Sequence, residues 1–388
     1  MLDSQWSAAD SCDLVLIPTR EGLPSSGARG YYVSSRSHAL CRASAADIML
    51  GKRSANHLYV RCPYEYPSAC SGMTQKSHKQ KDTFMAIQKI TGGIWPAVLS
   101  AVDTAGTPNM EAMDQLVELF VEQELDGLYL LGSTGQGPAL SLETRKAICE
   151  RVCQTNNHRL PVMVHVGAVS VYDAIELAKH AADCGADAIS SVPPIYFPVD
   201  VNLTFSHYEM IASATELPFF PYHAAFNQLA LPSSAEYGRR LKELPHFAGV
   251  KLTEANFAFF SQLRDALGDD YVLFSGFDEL LAHGIMSGSD GAIGTFMNLW
   301  GPVFKKADQA IRQGDTEMGQ RLTRVFLREV IPFVVDRVKF ISFLSRAMYL
   351  TYNIDIGEGR SPFCIATATI EDDVVREVVA RVNAVVGI

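Results

Sequence analysis

From Ile87 onward the chain repeats one pattern: a short apolar run that ends in Gly, Ser, Pro or a polar residue, followed by an amphipathic helical stretch. Eight such runs can be read, at 93–98, 127–131, 161–165, 188–192, 218–222, 248–251, 272–275 and 291–294. Helical stretches at 110–124, 142–154, 172–184 and 257–267 lie between them. Eight strands alternating with helices at intervals of about 20–35 residues predict an α/β chain folded as a (β/α)₈ TIM barrel. A doubly wound parallel sheet is the runner-up, and the Gly-x-Gly-x-x-Gly fingerprint expected after its first strand is missing. About 90 residues follow the eighth run, more than one helix needs. Stretches 300–313, 315–335, 338–352 and 372–385 read as helices packed beside the barrel.

The first eighty-odd residues do not share this pattern. Ten Lys and Arg against seven acids make 1–82 carry +3, which leaves −13 on the remainder of a chain whose net charge is −10. The segment is rich in Ser, Arg and Tyr and shows no sustained helical or strand period, so it is expected to be disordered or loosely attached. A targeting peptide would fit poorly with its scattered acids. Translation from Met73 or Met85 would remove it, and that alternative stands beside the first. The expected layout is an extension over 1–86, barrel strands and loops over 87–299, and a last barrel helix with a helical appendage over 300–388.

The acidic balance argues against nucleic acid or an anionic membrane as the main partner. No apolar run approaches the roughly 20 residues of a membrane span. Eight cysteines in 388 residues, with no Cys-x-x-Cys pair, do not make a disulfide scaffold. Cys149 and Cys153 have helical i, i+4 spacing but no accompanying histidine ligand set in the sequence. Reduced thiols and a cytoplasmic setting are expected, with no metal.

In a barrel of this type the chemistry belongs at the C-terminal ends of the strands. Lys251 closes the run Phe-Ala-Gly-Val-Lys-Leu. Burial would lower its pKa and free the amine to attack a carbonyl, whereas a structural lysine would carry its charge out to the rim. Tyr222 ends the preceding strand, one βα unit earlier. Its hydroxyl could shuttle protons beside an imine, or the ring could be a core aromatic. After the second strand, Gly132-Ser133-Thr134-Gly135-Gln136-Gly137 offers amide N–H groups and two hydroxyls for a carboxylate, and it also reads as a tight turn. Tyr196 sits between prolines in Pro193-Pro194-Ile195-Tyr196-Phe197-Pro198, a stiff loop suited to presenting a ring at an interface or to packing. Gly276-Phe277-Asp278-Glu279 brings two carboxylates after the seventh strand, either as a helix cap or as ligands for sugar hydroxyls.

As a spaced set these pieces resemble the N-acetylneuraminate lyase and dihydrodipicolinate synthase superfamily of class I aldolases. The marks are Gly-Ser-Thr-Gly at 132–135, His-Val-Gly at 165–167, Ile-Tyr-Phe-Pro at 195–198, Tyr222, Val-Lys-Leu-Thr at 250–253 and Asp-Gly-Ala-Ile-Gly-Thr at 290–295. The resemblance runs from about Ile90 to the C-terminus. It implies that Lys251 is the Schiff-base lysine, Tyr222 the proton shuttle, and Ser133 with Thr134 the pair that holds a pyruvate carboxylate. Tyr196 matches a tyrosine that reaches an adjacent subunit's site in many members, which implies a homotetramer. No metal or organic cofactor is implied, and the partner is a small molecule: pyruvate with a sugar-derived aldehyde.

Within the superfamily, dihydrodipicolinate synthases place an arginine shortly after the site tyrosine, and Tyr222-His-Ala-Ala-Phe-Asn-Gln-Leu-Ala-Leu-Pro232 has none. Sialic acid lyases carry Gly-x-Asp-Glu after strand seven and Ser or Thr after strand eight. Gly276, Asp278, Glu279 and Thr295 match that pattern, and Thr253 also fits. Gln136 stands where a glutamate is usual, and His-Ala-Ala-Phe replaces a segment that usually contains proline. The expected activity is therefore cleavage of a 2-oxo sugar acid, N-acetylneuraminate-like, to pyruvate and an aldehyde. Aldolases acting on 2-keto-3-deoxy sugar acids or 4-hydroxy-2-oxoglutarate, a synthase-like condensation, and a catalytically silent binding homologue are the alternatives.

Overall fold

The computed structural model describes residues 49–52, 58–61 and 89–387, apart from 198, 225–231, 336 and 360–368. Chain contacts divide the protein into Met1–Asp82 and Thr83–Ile388. In the first unit, Met49–Lys52 pairs antiparallel with Leu58–Arg61. No strand period is legible in the sequence there, and the remainder of the expected 1–86 extension lies outside the described residues.

The second unit contains eight parallel strands: β1 (Gly93–Pro96), β2 (Leu128–Leu130), β3 (Val162–His165), β4 (Ala188–Ser191), β5 (Phe219–Ala224), β6 (Gly249–Thr253), β7 (Val272–Ser275) and β8 (Gly291–Gly294). From β2 to β8 each strand pairs with the next in chain order, and β8 pairs with β1. A bridge between Ala97 and Tyr129, with Val98 N–H donating to the Tyr129 carbonyl at 2.8 Å, brings β1 to β2 and nearly closes the ring. The (β/α)₈ barrel is the architecture.

Helices α1 (Met110–Glu122), α2 (Leu142–Asn156), α3 (Val171–Asp183), α4 (Val201–Ala212), α5 (Ser234–Lys242) and α6 (Phe257–Leu267) follow the first six strands. Each starts on a side-chain oxygen that accepts a backbone N–H two or three residues inside the helix. The caps are Asn109, Ser141, Ser170, Asp200, Ser233 and Asn256. Such caps satisfy donors that the first helical turn leaves free. Helices α7 (Leu281–Met286) and α8 (Met297–Arg312) complete the ring. Trp300 leaves helical geometry inside α8, two residues before Pro302, whose ring and missing N–H disturb the preceding turn.

Side-chain alternation along the strands builds two cores. Ile94, Leu128, Leu130, Val162, Val164, Ile189, Phe219, Val250 and Leu252 face the helices. Trp95, Tyr129, Met163, Ala188, Phe220, Phe274 and Ile293 fill the barrel from seven of the eight strands. The remaining strand, β6, contributes Gly249 to this layer. A Cβ there would lie 2.6 Å from the Phe220 ring and 2.2 Å from the Val272 carbonyl, so only glycine lets the large rings meet. Two residues further along β6 the inward position belongs to Lys251.

Beyond the barrel come α9 (Thr316–Val325), a π-helical turn (Phe326–Val330), α10 (Ile331–Val335), α11 (Arg337–Tyr352) and α12 (Asp372–Asn383). The stretch read from sequence as one helix over 315–335 is thus interrupted by the π turn. Phe326 from that turn packs its ring 5.5 Å from Trp300 and 5.3 Å from Phe304, which joins the appendage to the outer core. Among the described residues no helix is long and apolar enough to cross a membrane.

Candidate active site

Strand parity delivers the central side chains. On β6, Val250 and Leu252 face the helices, so Lys251 and Thr253 point into the barrel. On β5, Phe220, Tyr222 and Ala224 share the inner face. Tyr222 and Lys251 are paired positions of neighbouring strands. The Lys251 Nζ lies 4.3 Å from the centroid of the Tyr222 ring and 4.3 Å from that of Tyr129.

Lys251 is only 4% exposed. Burial brings its pKa down from 10.5 to about 7, against the opposing pull of the Asp278 carboxylate. Ring faces favour a cation while loss of water disfavours it, and here loss of water dominates. The result is an amine with a substantial neutral fraction near pH 7, which is what nucleophilic attack on a carbonyl requires.

Tyr222 is buried, and Thr253 Oγ1 donates to its hydroxyl oxygen at 3.2 Å. Burial raises its pKa, while hydrogen bonding to Thr253 and Ser133 opposes the rise. The neutral phenol is thus a proton donor with two hydroxyl neighbours. One of these, Ser133, comes from the loop after β2, where Gln136 N–H closes on the Ser133 carbonyl at 3.1 Å. Thr134 in the same loop shares a 2.6 Å hydroxyl–hydroxyl hydrogen bond with Thr295, which follows β8. Gln136 takes the left-handed conformation and is buried, with the Gly359 backbone packed close to its side-chain amide.

Gly276 is held by its N–H on the Leu252 carbonyl at 2.8 Å. A Cβ at this position would fall 2.0 Å from Thr253 Oγ1. Asp278 is buried, and its two carboxylate oxygens accept the backbone N–H groups of Thr295 and Phe296, each at 3.0 Å. It therefore stitches the loop after β7 to the loop after β8. Burial and then the neighbouring Glu279 raise its pKa to about 7, against the two N–H groups and Lys251. Glu279 is half-buried, and burial raises its pKa as well.

Ser133, Tyr222, Lys251 and Thr253 thus come together, with Thr134, Thr295 and Asp278 linked around them and Gly276 packed beneath Thr253. Tyr196 does not join them. Its ring is 75% exposed and meets Phe197 edge-on, with centroids 5.0 Å apart. The stretch after Tyr222 that distinguishes branches lies largely outside the described residues.

Several neighbours of Lys251 carried no role in the sequence reading. The ring of Tyr129 forms one wall, and its hydroxyl shares a 3.1 Å hydrogen bond with Ser190. Its signal in the sequence was parity, since Leu128 and Leu130 on either side face outward. His165, at the end of β3, is buried 6.3 Å from the Tyr222 ring and accepts the Val192 N–H at 3.3 Å. Burial, followed by the charges of Arg145 and Lys251, lowers its pKa to about 3, so the imidazole is neutral. Arg145 reaches in from α2 and donates to the Gly167 and His165 carbonyls at 3.0 and 2.8 Å. An arginine on an amphipathic helix gives no sequence sign that it points inward.

Comparison with known proteins agrees with this architecture. An N-acetylneuraminate lyase of Enterobacter sp. (strain 638) is 34% identical over 232 residues, 59% of this chain and 77% of that protein. One from Salmonella typhimurium is 34% identical over 236 residues, covering 60% and 78%. The native structure of the N-acetylneuraminate lyase (sialic acid aldolase) from Aliivibrio salmonicida superposes with a TM-score of 0.68 at 26% identity. It covers 77% of this chain and 97% of that one. Residues 90–380 match the Dihydrodipicolinate synthetase family, and the chain belongs to that family, its homologues being carbon–carbon lyases of the aldolase type.

Proposed function

We propose that the protein is a class I aldolase that cleaves an N-acetylneuraminate-like 2-oxo sugar acid to pyruvate and an aldehyde through an imine on Lys251. The observation that carries this reading is the buried Lys251 amine, with its pKa lowered to about 7, 4.3 Å from the ring of Tyr222. The substrate class is carried over from the relatives named as N-acetylneuraminate lyases.

In the proposed sequence the neutral Lys251 amine adds to the C2 ketone. The Tyr222 hydroxyl protonates the departing carbinolamine oxygen, and water leaves a protonated imine beside a phenolate. The phenolate takes the proton from the C4 hydroxyl, and the C3–C4 bond breaks. Its electron pair moves into the iminium as an enamine while C4 departs as the aldehyde. Tyr222 returns the proton to C3, water adds to the imine, and collapse releases pyruvate and the free amine. In this reading Ser133 and Thr134 hold the substrate carboxylate. In the same reading Thr253, Thr295 and Glu279 meet the sugar tail, and the remaining lone pairs of Asp278 accept from its hydroxyls.

Incubation with pyruvate and borohydride, followed by intact-mass measurement, tests the imine. The expected result is one pyruvate-derived adduct on the wild type and none on Lys251→Ala. Folded wild-type protein without an adduct would overturn the mechanism and favour a silent homologue. Relative cleavage rates for sialic acid and for shorter 2-keto-3-deoxy sugar acids test the tail. Sialic acid turnover left unchanged by both Asp278→Ala and Glu279→Ala would remove those residues from the pocket. The proposal extends to a homotetramer in which the exposed Tyr196–Phe197 pair meets a second copy of the chain, which light scattering on the purified protein would read directly.

A further inference from the structure

The two outer helices that follow β2 and β3 bring together residues far apart in the sequence. Cys149 lies in α2, with Cys153 one turn further along. His180 lies in the last turn of α3, and Cys184 is its C-terminal cap. The Sγ atoms of Cys149 and Cys184 and a ring nitrogen of His180 all lie within 4.8 Å of one another. Cys184 Sγ is 3.6 Å from His180 Nδ1 and 3.7 Å from Nε2. These separations suit a tetrahedral centre: bond lengths of about 2.3 Å to sulfur and 2.0–2.1 Å to imidazole nitrogen give ligand–ligand edges of about 3.5–3.8 Å. The Cys149 and Cys184 thiols of this cluster are free, as is that of Cys153 one turn along α2.

We propose that Cys149, His180 and Cys184, completed by Cys153, bind a thiophilic divalent cation of the zinc class between α2 and α3. The missing histidine of the Cys149–Cys153 pair comes from the next helix, where His180 and Cys184 repeat the same i, i+4 spacing. A Cys₃His set is a closed structural zinc donor set, with four ligands that leave no open position for substrate. Two features support binding rather than plain packing. Cys149 is buried, while Cys153, His180 and Cys184 are half-exposed, which leaves an entry path. The carboxylates of Glu150 and Asp183 lie close enough for their fields to reach Cys184 and favour a cation there. Bound metal would clamp α2 to α3 one helical turn from Arg145, which holds the end of β3.

The test is metal analysis of the full chain, kept reduced, after loading with zinc and exhaustive dialysis. The expected result is one retained zinc per chain that Cys149→Ser/Cys184→Ser loses and Cys62→Ser/Cys70→Ser keeps. With cobalt in place of zinc, a thiolate-to-cobalt charge-transfer band should appear and vanish with the first pair. If the first pair fails to fold, His180→Ala decides. Removing a direct ligand should weaken zinc at least about tenfold, since loss of an outer-shell partner alone costs 10–100-fold. Reduced wild type that retains no zinc, retention unaffected by His180→Ala, or loss that follows the Cys62/Cys70 pair would overturn the site.

Discussion

Lys251 and Tyr222 are partners across adjacent parallel strands, and their side chains meet on the inner face of the barrel with Nζ 4.3 Å from the ring centroid. That pairing puts the proposed nucleophile and its proposed proton donor on two rigid elements rather than on loops, and both are shielded from water. Burial acts on the two in opposite directions: it lowers the amine's pKa and raises the phenol's, so near pH 7 the phenol is neutral and a substantial fraction of the amine is too.

The pH dependence of imine trapping follows from this. With the Lys251 pKa near 7, the initial rate of pyruvate–borohydride modification should fall about tenfold per unit below pH 7 and level off above it. The Asp278 charge pulls that pKa upward, so Asp278→Asn should move the limb to lower pH. A limb near pH 10 in the wild type would contradict the burial argument.

Tyr222→Phe keeps the ring against Lys251 and removes the hydroxyl bonded to Thr253. Thermal stability should change little, while kcat for cleavage should drop by about 10²–10⁴, the usual contribution of one positioned acid–base group. Single-turnover trapping should still reach the Lys251 adduct, more slowly. Equal turnover in the variant and the wild type would assign the proton transfers elsewhere.

Gly276→Ala sets a Cβ 2.0 Å from Thr253 Oγ1. The collision should cost about 1–3 kcal/mol, read by denaturant unfolding. In Gly276→Ala/Thr253→Ala the oxygen is gone, so the double variant should recover most of that loss. A strictly additive pair would mean that the strain is relieved by backbone movement instead.

His165 is neutral and buried, with a pKa near 3 against 6.5 when exposed. Between those values the unfolded chain binds one more proton than the native one, so its contribution to stability is complete above pH 6.5 and is lost as pH falls toward 3. His165→Gln, which can still accept from Val192 N–H and does not titrate, should flatten the stability–pH curve in that window. An unchanged slope would place the acid sensitivity on other groups.

The eight βα repeats, the placement of Lys251 and Tyr222 on successive strands and the hydroxyl loop at 132–137 could all be read in the sequence, although both strands run two residues past the ends read for them. Each depends on local rules: apolar runs bounded by turn residues, and reactive side chains at the end of a run. Parity, too, was available in principle, since Val250 and Leu252 on either side of Lys251 face the helices. The sequence could not show which distant groups close around those positions. Tyr129 reaches Lys251, and His165 reaches Tyr222, only because the ring curls round from β2 through β6. Arg145 points inward only because α2 lies over the end of β3, and Asp278 spends both oxygens on N–H groups beyond β8. The same limit hid the Cys149–His180–Cys184 cluster, whose members lie on separate helices brought side by side by barrel closure. Sequence spacing reports neighbours within one helix or strand, whereas burial, pKa and ligand geometry depend on packing between elements, which the folded barrel alone decides.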